Sequence, residues 1–315
     1  MPAATTTNSE ARAGDAAHTS TPSSFDRLAD SVRQRLAGSI RHQLIGDRVP
    51  VRDLSAVDDG DPGLFGPGSA TWQVHADAAM LIGGVRALLL QTMHPLAMAG
   101  IAEHSAYRTD PMGRLWRTSE YVGTTSFGTT AEAERAVAMV KKVHVRVAGT
   151  APDGRPYSAN DPHLLAWVHH ALTESFLVSY QRYGAQKLSA TQADRYVAEQ
   201  AVLAEMLGAT TPGPARTVAE LDAWMHGIRP ELRAERQARD AVRFLLNPPL
   251  PLLSRGPYAV LAAAAIGLLP GWMTRQMRIP VIPLADPLAV RPATKALSAI
   301  VGWAMSAPLP APSPS

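Results

Sequence analysis

The sequence predicts an all-α protein with a single domain of about ten helices. Two observations lead to this fold class. Nearly all apolar segments repeat every three to four residues, the period of a helix with one buried face. Polar capping residues, prolines and glycines also stand where such helices begin and end. Apolar residues make up 46% of the 315-residue chain, which is enough to form a large core.

The two ends of the chain differ from this helical pattern. Residues 1–24 are rich in Ala, Thr and Ser, and residues 306–315 are rich in Pro and Ser. Neither segment has apolar periodicity, so we expect disordered tails around a helical domain of residues 25–305. The N-terminus also lacks the charged and then apolar pattern of a signal peptide, which favours a cytoplasmic protein.

The first strongly apolar segment, residues 76–93, predicts a central buried helix. Gly83 and Gly84 within it cost about 1–2 kcal/mol of helix propensity. They therefore indicate a close approach, either by a neighbouring helix, the more common reason, or by a flat ligand. His94 and Pro95 then interrupt the chain before a second apolar segment at residues 96–102.

Capping residues mark the helices that follow. Asp110 before Pro111 predicts a helix that runs to about Phe127. Thr129 and Glu132 form a capping box for a helix that Gly149 would close. Further helix starts are expected at Asp161 with Pro162, at Ser189, at Thr217 with Glu220, and near Glu231. The apolar run 258–269 is too short to span a bilayer, which takes about 20 residues, and predicts a core helix rather than a membrane-surface contact.

Several classes of chemistry are excluded by composition and motifs. The chain has no cysteine, which excludes disulfides, thiolate catalysis, iron–sulfur clusters and a thiolate-bound haem. Its net charge is only +3 and the basic residues are scattered, so nucleic-acid binding is not expected. Zinc-hydrolase, di-iron, Walker, dinucleotide-binding and serine-hydrolase motifs are all missing.

One set of residues on consecutive helices remains. Arg114 and Thr118 are one turn apart on the same helix face, and Arg117 and Tyr121 form the adjacent stripe. On the next helix, His144 lies among Val140, Val143 and Val147. A neutral imidazole on an apolar helix face suits a haem-iron ligand. On these residues alone, a core histidine bonded to a carbonyl is the more common case.

Four segments carry a resemblance to a known family. They are residues 78–104 (AAMLIGGVRALLLQTMHPLAMAGIAEH), 114–118 (RLWRT), 126–129 (SFGT) and the helix that contains His144. Over about residues 60–280 the chain resembles the DUF2236 family, which includes bacterial latex-clearing rubber oxygenases and fungal MpaB-type oxygenases. The resemblance implies a globin-like, all-α core that binds haem b. It also implies that His144 is the single proximal iron ligand, with Arg114 and Thr118 on the distal side.

The resemblance to the rubber-cleaving branch is weaker. Those enzymes have a lysine where this chain has Arg117, and an arginine where it has Ala148. Arginine stays protonated and cannot coordinate iron, so closure of the distal site by a lysine, and with it rubber cleavage, is not expected.

Other residues compete for roles in this site. His94 and His169 are alternatives to His144 as the iron ligand, or partners of the haem at its edge. Glu103 and His104 are the nearest acid–base candidates to the break at His94.

Three functions therefore stay open. The first is a haem-dependent oxygenase in which Arg114 and Thr118 orient O2 or an apolar, isoprenoid-like substrate, in a pocket lined by residues 81–90 with Met93 or Met98. The second is a non-catalytic haem protein for storage, sensing or structure. The third is a helical protein that needs no metal.

Overall fold

The computed structural model describes residues 60–211, 213–280 and 289–305. These residues form twelve α-helices, one 3-10 turn and a two-stranded sheet. The all-α class is therefore confirmed, and the twelve helices of the described residues agree with the expectation of about ten. The segments predicted to be disordered, residues 1–24 and 306–315, lie outside the described residues.

The elements follow one another along the chain with short connections. The helices are α1 (Ala70–His75), α2 (Ala79–Gln91), α3 (Pro95–His104), α4 (Pro111–Phe127), α5 (Thr130–His144), α6 (Pro162–Tyr183), α7 (Ala190–Leu207), α8 (Val218–Gly227), α9 (Arg236–Leu246), α10 (Leu252–Gly267), α11 (Gly271–Met277) and α12 (Arg291–Met305). The 3-10 turn is Arg229–Glu231, and β1 (Ala148–Thr150) pairs antiparallel with β2 (Pro156–Ser158).

Most predicted helix starts are confirmed by capping hydrogen bonds. The side chains of Asp110 and Asp161 accept backbone N–H groups at the starts of α4 and α6. Thr129 with Glu132 forms the expected capping box of α5. At Thr217 the expected box is half formed, because the carboxylate of Glu220 accepts from the N–H of Arg216 instead. These polar side chains satisfy N–H groups that the first helical turn leaves free.

The central pair of the fold is α2 packed against α6. A Cβ atom on Gly83 would lie 2.6 Å from Cδ1 of Phe176, so only glycine allows this approach of the two helices. The neighbouring helix therefore explains Gly83. Around Gly84 a Cβ would meet no atom of the described residues within 4 Å, so no described helix accounts for this second glycine.

A buried arginine joins the central pair to α10. Arg86 is only 2% exposed, and its guanidinium donates to the carboxylate of Glu174 at 2.9 Å and to Oγ of Ser175 at 2.7 Å. Its Nε donates to the carbonyl oxygen of Leu268 at 3.2 Å. A buried charge with this set of partners fixes the relative position of the three helices.

Several predicted boundaries were wrong. The helix expected from residue 76 begins at Ala79, after a turn in which Asp77 Oδ1 accepts the N–H of Ala79. The helix expected to close at Gly149 ends at His144, and Gly149 pairs with Tyr157 in the small sheet. The start expected near Glu231 is the end of a 3-10 turn, and α9 begins at Arg236. Short-range competition between turns and helices decides such boundaries.

The apolar run 258–269 lies mostly within α10, where Ala262, Ala264 and Ala265 are buried in the protein. This agrees with the expected core helix. In the part of the chain that the structure describes, every helix is too short or too polar to cross a membrane.

Candidate functional site

Helices α4 and α5 pack together as a helical hairpin, and Arg114 and His144 both lie far from its turn. Gly128 and Thr129 make the turn between the two helices. Arg114 lies fourteen residues before Gly128, and His144 lies fifteen residues after Thr129. Because each helical residue adds about 1.5 Å, both lie at similar distances from the turn, at the open end of the hairpin.

His144 is the last residue of the buried stripe of α5. Ala133 and Val137 are buried on this stripe, and Val140 and His144 are half-buried. Nδ1 of His144 is buried and has no hydrogen-bond partner among the described residues. Burial lowers the pKa of the imidazole, which keeps the ring neutral near pH 7. Val143, expected beside His144, instead faces solvent and is 52% exposed.

Arg114 lies partly inside the protein. Its guanidinium donates to Oγ of Ser105 at 2.5 Å. Burial lowers the pKa of Arg114, and its electrostatic interaction with Tyr107 acts in the opposite direction. An arginine keeps its charge in such surroundings, so Arg114 supplies a fixed positive charge with several N–H donors.

The other predicted residues of α4 differ in exposure. Thr118 is exposed and its hydroxyl donates to the carbonyl oxygen of Arg114. Arg117 is exposed and pairs with Asp110 at 3.4 Å. Tyr121, one turn further on, has a buried hydroxyl with no hydrogen-bond partner in the described segments, and burial raises its pKa to about 12. The structure therefore brings Arg114 and Tyr121 into the protein and leaves Thr118 and Arg117 at its surface.

His169 and its neighbour His170 lie in the middle of α6. Nε2 of His169 is 3.3 Å from the hydroxyl of Thr173, and burial lowers its pKa to about 3. Nε2 of His170 accepts the N–H of Ala215 at 3.0 Å. Each ring has one partner within the protein, as structural histidines do, although Nδ1 of His170 has no hydrogen-bond partner among the described residues.

His94, the third predicted histidine, lies in a cluster that sequence reasoning missed. Nε2 of His163 is 2.9 Å from Oε2 of Glu231, and Nε2 of His94 is 3.5 Å from the same oxygen. One potential ligand atom from each of the three residues lies within 4.8 Å of the other two. Burial lowers the pKa of His94, and Glu231 raises it. The helix starts at Pro95 and Pro162 were visible in the sequence, but their meeting with Glu231 was not.

Glu103 and His104, the predicted acid–base residues, are joined through Tyr157. The hydroxyl of Tyr157 donates to Glu103 in a very short hydrogen bond, and Nε2 of His104 is 3.1 Å from the same hydroxyl. A surface cleft of about 500 Å3 lies beside Glu103, and it is also lined by Arg108, Arg236 and Asp240.

The expected wall of a substrate pocket is packed into the core. Met93 and Met98 are buried in the main hydrophobic cluster together with Leu89 and Leu90. A second cleft, of about 320 Å3, lies on the outer side of α5 and is lined mainly by Met139, Lys142, Val143, Arg146 and Val147, with His104 at its edge.

A family model, described as the catalytic domain of ER-bound oxygenase mpaB/B' and rubber oxygenase, matches residues 72–302. This range is more than two thirds of the chain and includes all of the candidate residues above. The chain belongs to this family. Membership in the mpaB/rubber oxygenase family makes the protein an enzyme of the oxygenase type, which acts on a substrate together with O2. No curated protein and no solved structure gives a significant match.

The resemblance to this oxygenase family led to the expectation of a bound haem. The chemistry of two residues in the hairpin of α4 and α5 suits such a group. His144 offers a half-buried, neutral imidazole with a buried nitrogen that no described residue satisfies. A buried polar atom without a partner costs about 1–3 kcal/mol, which a bound ligand would recover. The positive charge of Arg114 at the same end of the hairpin suits a carboxylate or a reduced oxygen species.

Proposed function

We propose that the chain is a haem b-dependent oxygenase that oxidises an apolar, isoprenoid-like small molecule with O2, with His144 as the iron ligand. The observation that carries the proposal is the environment of His144. It ends the buried stripe of α5, and its Nδ1 has no partner among the residues that the structure describes. His169, an alternative ligand, already has Thr173 as a partner.

His144 would hold the haem iron, and a bound haem would supply the O2-activating chemistry of an oxygenase. Arg114 would donate hydrogen bonds to the reacting oxygen or the substrate and stabilise negative charge there. Thr118 would orient the substrate after its hydroxyl leaves the carbonyl of Arg114. We assign Arg117 to the rim of the site, where it pairs with Asp110 and stays charged.

The apolar nature of the proposed substrate has support from α5 itself. The cleft on its outer side carries Met139 and Val143, two large apolar side chains that are 60% and 52% exposed. Exposed apolar side chains in a concave surface favour apolar partners.

We further propose a cytoplasmic location with transient contact to membrane surfaces, where such substrates dissolve. Cytoplasmic conditions suit a chain without cysteine.

Oxygen uptake by the haem-loaded protein tests this function. We expect uptake that depends on an isoprenoid alkene such as squalene, and a ferrous spectrum that shifts with carbon monoxide. Arg114→Ala should lower the turnover about 100-fold or more, the size of one lost hydrogen bond to a developing charge, and keep the haem content unchanged. Arg243→Ala, which changes an exposed arginine on α9, is the matched control.

Two outcomes would contradict the proposal in different ways. A ferrous haem that does not bind carbon monoxide and consumes no O2 would support the non-catalytic haem protein. Loss of haem in Arg114→Ala would make Arg114 an anchor of the haem carboxylates instead of a group that acts on oxygen.

A further inference from the structure

We propose that His94, His163 and Glu231 bind a divalent transition-metal ion at a second site, separate from His144. Neither the family description nor the proposed oxygenase function assigns a role to this cluster. The three residues lie far apart in the chain and come together where the starts of α3 and α6 meet the 3-10 turn.

The distances between the three side chains are close to those of a metal site. Ligand atoms about 2.1 Å from a tetrahedral zinc ion are about 3.4 Å apart. Oε2 of Glu231 is 2.9 Å from Nε2 of His163 and 3.5 Å from Nε2 of His94. All three ligand atoms fall within 4.8 Å of one another. Side-chain shifts of about 1 Å would therefore complete the coordination geometry.

His94 provides the second, independent observation. Its side chain is 1% exposed, and neither Nδ1 nor Nε2 has a hydrogen-bond partner among the described residues. The ion pair of His163 with Glu231 leaves Nδ1 of His94 without a hydrogen-bond partner among the described residues, and leaves Nε2 of His94 with only a 3.5 Å approach to the same carboxylate. A metal ion bound to Nε2 would remove part of this deficit, because each unsatisfied buried polar group costs about 1–3 kcal/mol.

Each ligand is held by the backbone around it. His94 is the N-cap residue of α3 and has an extended backbone. His163 lies in the first turn of α6, where its N–H donates to Oδ1 of Asp161 at 2.8 Å. The N–H of Arg233, two residues after Glu231, donates to the carbonyl oxygen of Met93 at 2.7 Å. This last bond ties the 3-10 turn to the segment with His94, so the three side chains are positioned before an ion binds.

The aromatic rings around the cluster give it an apolar wall. The ring centroid of His94 is 6.1 Å from that of Trp167, and the centroid of His163 is 6.0 Å from that of Trp224. Trp167 is fully buried. A wall of this kind excludes water from one side of the ion and strengthens its interaction with the carboxylate.

Two imidazoles and one carboxylate form a donor set for zinc or ferrous iron. The side chains of His163 and Glu231 are 41% and 43% exposed, so the remaining coordination positions would face solvent and take water or an oxygen ligand. Arg155 is the nearby positive charge on this side, and it already pairs with Asp153 at 2.7 Å. Glu231 therefore provides the negative charge that an entering cation meets.

Titration calorimetry of the full-length protein with Zn2+ tests the site. We expect one equivalent to bind, with the affinity at least tenfold lower in His163→Gln and in Glu231→Gln. These positions are half-exposed, so the variants keep the test valid even if His94→Gln does not fold. His226→Gln is the matched control, because His226 is an exposed helical histidine whose Nδ1 is bonded to the carbonyl oxygen of Asp222 in its own helix.

Thermal unfolding gives a second readout. Zn2+ should raise the melting temperature of the unmodified protein and of His226→Gln, but not of Glu231→Gln. His144→Ala should lose haem and keep the zinc equivalent, which separates this proposal from the haem assignment. Equal zinc affinity in the unmodified protein and in both half-exposed variants would overturn the site, as would the absence of zinc binding.

Discussion

The protein contains two regions of buried polar residues that differ in one respect. Both ring nitrogens of His75 have a partner: Nδ1 is 2.6 Å from Oγ of Ser126, and Nε2 is 3.0 Å from the hydroxyl of Tyr196. Around His94, both ring nitrogens lack a hydrogen-bond partner among the described residues. Both histidines are at least 95% buried. The two histidines are therefore buried to a similar extent, and they differ in whether their ring nitrogens have hydrogen-bond partners.

Under the two proposals, this difference separates histidines that hold the fold from histidines that would bind a ligand. Proteins satisfy nearly all buried polar groups, and the exceptions require an explanation. The network of Arg86 belongs with His75, since its guanidinium has three protein partners. His144 and Tyr121 belong with His94, since each has a buried atom without a partner in the described part of the chain. Substitutions should therefore cost stability in the first group, whereas in the second group they should cost little stability and, at His94 and His144, should weaken ligand binding.

The largest loss of stability is expected for Arg86→Met. The substitution leaves the carboxylate of Glu174, which is 19% exposed, without its partner. Removing one member of a buried pair costs about 3–5 kcal/mol of the free energy of unfolding. Urea unfolding measures this loss. Arg243→Met breaks an exposed pair with Asp240 and should cost at most about 1 kcal/mol. Similar losses in both variants would contradict the role given to Arg86.

A smaller loss is expected for His75→Leu, about 1–3 kcal/mol. The variant keeps an apolar side chain in the core but leaves the hydroxyl of Tyr196 without its histidine partner. Chemical denaturation without added metal compares His75→Leu with His94→Leu. His94→Leu removes two nitrogens that have no hydrogen-bond partner among the described residues, so its free energy of unfolding should be nearly unchanged. A greater loss of unfolding free energy in His94→Leu than in His75→Leu would contradict the distinction between the two histidines.

Acid should destabilise the protein through its buried histidines. Burial lowers the pKa of His75 and of His169 to about 3, below the value of 6.5 in the unfolded chain. Between these values the unfolded state binds more protons, so the free energy of unfolding decreases as the pH falls below 6.5. The slope is up to about 1.4 kcal/mol per pH unit for each histidine. His75→Leu should reduce this slope by one histidine's share, and an unchanged slope would show that His75 is protonated in the folded protein.

The smallest effect is expected for Tyr121→Phe. Its hydroxyl is buried without a partner among the described residues, so its removal should leave the free energy of unfolding unchanged or raise it by up to about 1 kcal/mol. Tyr258→Phe, which removes a hydroxyl bonded to the carbonyl oxygen of Leu245, should destabilise by about 1 kcal/mol instead. Equal losses in the two variants would mean that Tyr121 has a polar partner.

Local sequence signals predicted much of this fold. The caps at Asp110, Thr129 and Asp161 are decided by residues two or three positions away, so their hydrogen bonds could be foreseen. The placement of His144 on the buried stripe of α5 followed from helical spacing. The outward position of Val143 could not be predicted in the same way. Val143 lies at the edge of the stripe, and whether such a residue is buried depends on where the neighbouring helices pack.

Contacts between segments that are distant in the chain could not be predicted from the sequence. His163 and Glu231 are 68 residues apart, and no motif links them. The pairing of Arg86 with Glu174 also depends on how α2 crosses α6. Such contacts are set by tertiary packing, which residue spacing along one helix does not contain.

The absorption spectrum of the purified protein, loaded with haem and compared across histidine variants, tests the central claim most directly. Unmodified protein, His94→Ala and His169→Ala should show a Soret band, and His144→Ala should lose it, because His144 offers the half-buried imidazole whose Nδ1 no described residue satisfies. Full haem retention in His144→Ala, or a loss confined to His169→Ala, would contradict the assignment of His144 as the iron ligand.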